Sequence, residues 1–144
     1  MSFPARLQVF LVSLLFVGGM LGCGRSDKAQ VNGRVLFKDG TVPKGGVCVV
    51  QFVPAADSPA KIRKAASGEI QDDGWFEAYT RKLGDGVFLG KYDVTFTVWE
   101  GPTQPVSLID PKYTKASTTP YHVTIDDDVS DLNFEIEPLP ARKK

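Results

Sequence analysis

From Val31 onward, apolar residues return at every second position in short bursts broken by glycine, proline and aspartate, the period of half-buried strands. In VNGRVLFK, Val31, Val35 and Phe37 fall on one side while Asn32, Arg34 and Lys38 fall on the other. KDGTVPKGG then turns the chain, with Asp39-Gly40, Pro43 and Gly45-Gly46 as the turn residues. VCVVQFV is apolar on both sides, as a central strand is, and Pro54 closes it. SGEIQDDGWFEAYT predicts a hairpin with Asp72-Asp73-Gly74 at its tip, after which Phe76 and Ala78 share one face and Trp75, Glu77 and Tyr79 the other. The clearest alternation is Tyr92, Val94, Phe96 and Val98 against Asp93, Thr95, Thr97 and Trp99. A proline-bearing connection over 100–120 follows, with room for an edge segment around Val106 to Ile109. YHVTI and LNFEIE come last, joined by DDDVSD as a solvated hairpin turn. The pattern predicts an all-β, Greek-key β-sandwich of about seven strands over 31–138 and a frayed tail over 139–144.

Residues 1–22 read differently. Arg6 and the amino terminus precede LQVFLVSLLFVGGM, about fourteen mostly apolar residues, which suits a signal peptide and falls short of the roughly twenty a membrane span needs. MLGC at Met20–Cys23 resembles a bacterial lipobox. That resemblance implies a diacylglyceryl group on the Cys23 thiol, cleavage before Cys23 and acylation of its new amine, with palmitate-type chains placing the protein on a membrane of the cell envelope. Two other readings stay open. Cleavage after Gly19 would satisfy the small-residue rule through Val17 and Gly19. A Cys23–Cys48 disulfide would join a tail to the interior of a strand, where a small buried thiol is the ordinary explanation for Cys48. Residues 23–30 then form a tether whose last seven residues, GRSDKAQ, span at most about 25 Å.

Composition narrows the function. The 17 basic and 17 acidic residues cancel, and loss of the leader removes only Arg6, leaving a net charge of −1. No basic surplus points to nucleic acid. Fourteen glycines and ten prolines in 144 residues oppose a helical bundle, and the length suits one domain.

The punctuation VNGRVLFKDGTVPKGGVCVVQFVP, SGEIQDDGWFEAYT and GDGVFLGKYDVTF resembles the carboxypeptidase regulatory-like domain, with Gly33, Pro43, Gly46, Val49, Gly74, Phe76, Gly90, Tyr92 and Val94 at or near its signature positions. IDPKYTKASTTPYHVTID and LNFEIE resemble the ending of small planctomycete lipoproteins of this type. The resemblance implies a transthyretin (prealbumin)-like sandwich and a structural or binding role; its motifs are structural and name no ligand.

Candidate chemistry is sparse. His122, the single histidine, alternates outward and has no second ligand type beside it in sequence, so neither a metal site nor another cofactor is expected. Asp126, Asp127 and Asp128 lack the spacing and glycine of a calcium loop. No nucleophile-elbow motif occurs. Some transthyretin-like proteins hydrolyse 5-hydroxyisourate with several histidines and a Tyr-Arg-Gly-Ser ending, whereas this chain ends ARKK. Lys61, Arg63 and Lys64 lie in a polar loop over 54–66, read as solvated or as an anion-binding patch. Trp75, Tyr79 and Trp99 fall on outward phases and either form a ligand-binding surface or are covered by the loops over 54–66 and 100–120. The expectation is a non-catalytic, lipid-anchored module whose partners are the membrane, through Cys23, and an envelope protein or glycan. The alternative is an exported carrier or sensor for a small ligand, held in the sandwich interior or in a dimer groove as in transthyretin; a carrier predicts a cavity, whereas Phe37, Phe52, Phe76, Tyr92, Phe96 and Phe134 predict a filled core.

Overall fold

The computed structural model describes residues 26–140, so the apolar run, MLGC and the Cys23 reading lie outside the described residues. The period-two pattern builds an all-β sandwich. β1 (Lys28–Ala29) and β6 (Val87–Phe88) make a short antiparallel ribbon. β2 (Val31–Phe37) is the middle of a three-stranded sheet, parallel to β10 (Val129–Ile136) on one side and antiparallel to β5 (Trp75–Ala78) on the other. β3 (Val47–Pro54) and β7 (Gly90–Gly101) are the axis of a five-stranded sheet, with β4 (Ala66–Glu69) outside β3. The far edge of β7 is shared by β9 (His122–Ile125), opposite Gly90–Asp93, and β8 (Gln104–Ser107), opposite Trp99–Gly101.

The inward residues of both sheets meet in one core. Phe52, Phe76, Tyr92, Phe96 and Phe134 are buried, and their rings contact one another mostly edge-on or tilted, with Phe96 and Phe134 centred 5.4 Å apart and Phe52 and Phe76 6.1 Å apart. Such contacts put the positive ring edge against a negative face. Phe37 differs from its expected place: it is only half-buried, packed at the rim of this cluster. Among the described residues no buried side-chain nitrogen or oxygen lacks a partner, which keeps the desolvation cost of the core low.

The predicted hairpin at 67–80 forms, but its strands part to join different sheets. Gly74, at φ +85°, closes the tip by donating its amide hydrogen to the Gln71 carbonyl, and Ser67 and Tyr79 exchange backbone hydrogen bonds at the open end. Between them Gly68 lies so close to β5 that a Cβ would stand 2.5 Å from the Glu77 carbonyl oxygen.

Three local expectations change. The aspartate run joins no hairpin: β9 pairs with β7 and β10 with β2, so Asp126–Asp128 carries the chain from one sheet to the other, and the Asp128 carboxylate accepts the Gln30 amide at 2.7 Å. The fold also begins earlier than residue 31, because Ala29 is buried and β1 holds the chain to β6. The connection over 100–120 carries β8 and a 3-10 turn, η1 (Pro111–Thr114), started by the Asp110 carboxylate accepting the Lys112 amide at 2.9 Å. It delivers Tyr113, 2% exposed, against Phe96.

Candidate functional site

The structure does not gather the outward aromatics. Trp75, 39% exposed, lies on β5 of the three-stranded sheet, and half-buried Trp99 lies on β7 of the five-stranded one. Tyr79 sits at the seam bridge and lines a groove of about 750 Å³ with Cys48 and Ser67, which neither tryptophan lines. Among the described residues none of the three belongs to an aromatic ring pair. Cys48 is a free thiol on β3, half-buried, and burial pushes its pKa up, away from the reactive thiolate.

His122 projects into solvent with its side chain 64% exposed, and its Nδ1 lies 2.6 Å from the Asp93 carboxylate across the β7–β9 ladder. The pair borders a shallow polar groove with Lys91 and Asp57, themselves ion-paired at 3.0 Å. Among the described residues no hydroxyl or thiol is hydrogen-bonded to His122, so none there is joined to the pair in the relay that activates a nucleophile. Among the described residues no group of three or more histidine, cysteine, aspartate or glutamate side chains could hold a metal ion.

The most connected charge cluster is a clasp. Glu137, just beyond β10, accepts from Lys38 after β2 at 2.6 Å and from Lys112 in η1, with the Tyr113 hydroxyl 3.3 Å away. The hydrogen bonds from Lys112 and Lys38 hold the Glu137 carboxyl well below the usual range, at about 2. It ties three chain segments at the sandwich end that holds the long connection.

A different concentration of chemistry surrounds the point where the chain enters. Asp27 lines a mainly apolar groove of about 430 Å³ with Pro59, Ile62, Phe88, Leu89 and Ile125. Lys28 lines an adjoining groove of about 630 Å³ with Lys64, Arg81 and Lys82. Ile62 and Phe88 border both. Asp85 shapes the second groove: burial opposes its ionisation, but the Thr80 amide at 2.9 Å and Lys28 at 3.0 Å outweigh that and hold the carboxyl below its ordinary value. These bonds close the loop over 80–86 and present Arg81 and Lys82 outward. Lys61, Arg63 and Lys64 stand out in the sequence as one basic loop and Arg81 and Lys82 do not, yet the two loops flank the open end of the seam hairpin, where Ser67 and Tyr79 are bridged, and Lys64, Arg81 and Lys82 line one groove. The second loop's own signal was its RKLGDG composition.

No family model, curated protein or solved structure matches the chain.

Proposed function

We propose that the chain is a non-catalytic module of the cell envelope, lipid-anchored through Cys23, with a carboxypeptidase regulatory-like sandwich as its working body. The observation that carries this reading is the filled core: Phe52, Phe76, Tyr92, Phe96 and Phe134 occupy the space between the sheets that a carrier holding its ligand in the sandwich interior would leave to it. What the protein offers a partner is therefore its outside, held near a membrane by the tether. MLGC supplies the chemical reason for that tether, since one residue bearing two or three acyl chains anchors far more durably than a single chain.

Metabolic labelling with an alkyne analogue of palmitate tests the reading. The wild-type chain takes up label and Cys23→Ser takes up none. Equal labelling of the two chains, or none of either, defeats the anchor. Retention of a small hydrophobic ligand inside the sandwich through purification would favour the carrier instead.

A further inference from the structure

We infer that the end of the sandwich where the chain enters is a docking face for the surface of an anionic phospholipid bilayer. The inference rests on the lipid anchor proposed above and adds an orientation to it. Two loops build the face by the same device, an exposed aliphatic side chain beside cations. Ile62, 39% exposed, stands between Lys61 and Lys64, and Leu83, 70% exposed, follows Arg81 and Lys82.

Charge at this end is unevenly placed: the second groove is lined by Lys28, Lys64, Arg81 and Lys82 against Asp85 alone, although the chain as a whole is neutral. Lys28 is matched by Asp85 and Lys91 by Asp57, both at 3.0 Å, whereas Lys61, Lys64, Arg81 and Lys82 make no ion pair among the described residues. Arg63 serves the fold instead, donating to the carbonyls of Ala55 and Ala56 at 2.5 and 2.8 Å. Four acids near this end make no ion pair among the described residues: Asp27 and Asp126 line the apolar groove, and Asp127 and Asp128 follow, Asp128 accepting the Gln30 amide; none of the four lines the second groove.

Anionic headgroups complement Lys64, Arg81 and Lys82 on the second groove, and aliphatic loop tips are the side chains that gain by entering the interfacial layer. The position of the anchor decides between a bilayer and a soluble acidic partner. Cys23 precedes Asp27 by four residues and Lys28 by five, so an acyl group on Cys23 keeps the near edge of both grooves within about 18 Å of the point of insertion. At that range the bilayer is always present at high effective concentration.

Hydrogen–deuterium exchange on protein expressed from the full sequence and mixed with vesicles tests this. Exchange over 59–65 and 80–88 is expected to slow at least about threefold on vesicles with about one-third phosphatidylglycerol relative to pure phosphatidylcholine. About 0.5 M salt, which screens surface charge, removes the difference, and so does Lys64→Glu/Arg81→Glu/Lys82→Glu. The salt arm uses the native chain and does not depend on how the triple variant folds. Flotation with both vesicle types and equal exchange on both overturns the docking face and leaves the anchor standing. Flotation with anionic vesicles alone, lost in high salt, supports the face and counts against the anchor. Flotation with neither overturns both.

Discussion

Gly33 and Gly40 show how one residue type serves two physical needs. A Cβ at Gly33 would stand 2.0 Å from the Leu132 carbonyl oxygen, where β10 lies against β2, so Gly33→Ala has to push two parallel strands apart. We expect a loss of about 2–3 kcal/mol in urea unfolding, the scale of overpacking in a tight interior. Gly40 has open space around its Cβ position but a φ of +85°, and Gly40→Ala should cost about 1–2 kcal/mol from backbone strain alone. Glu137 makes a prediction in pH. Its folded pKa of about 2 lies below the ordinary 4.5, so the clasp's contribution is complete above about pH 4.5 and is lost as pH falls toward 2. In acid titrations of stability, Glu137→Gln should flatten the fall within that window; an unchanged slope would show that other carboxylates govern it. The sequence marked Gly33 as a strand glycine and Lys38 as outward, but nothing local linked Lys38 to Glu137, which lie 99 residues apart.

At the scale of elements, legibility followed length of alternation. β2, β5 and β7 are readable because their alternation is set by burial against one core. β1 and β6, with two residues each, have no period to read, and β8 reads QPVS because it is an exposed edge. The parallel pairing of β10 with β2 was hidden for another reason: turn residues reveal that a chain reverses, not which sheet it joins next. The connection after β7 is the largest surprise. Its prolines suggest slack, yet Tyr113 packs on Phe96 and stacks 6.3 Å from Tyr121, while the buried Thr119 hydroxyl donates to the Val94 carbonyl at 2.5 Å. Tyr121 then links the sheets, its hydroxyl donating to the Glu135 carbonyl and accepting the Glu135 amide. Tyr113→Ala should therefore destabilise by about 3 kcal/mol, as a core aromatic does, and Tyr121→Phe by about 1 kcal/mol. Chemical unfolding of the two variants measures both. A loss within about 0.5 kcal/mol for Tyr113→Ala, the range of surface changes, would mean that the connection is a loose cover.

At the scale of the molecule, the two ends of the sandwich differ in chemistry. One is clasped by Lys38, Lys112 and Glu137, while the other holds the entering chain, two grooves and unpaired cations. Little of that second end was visible in the sequence. Lys61 and Lys64 precede the seam hairpin and Arg81 and Lys82 follow it, so the Ser67–Tyr79 bridge at its open end sets the two pairs side by side. The proposed membrane anchor has the opposite character, resting on a run of residues that precedes the described ones. Both halves of the account meet at Cys23, whose lipid would set the distance from bilayer to grooves.

Intact mass spectrometry of the protein extracted from cell envelopes tests that meeting point directly. The account predicts a chain beginning at Cys23 and heavier than its sequence by a diacylglyceryl group and an acyl chain, with Cys23→Ser lacking both additions. An unmodified mature chain beginning at Met20 would contradict it.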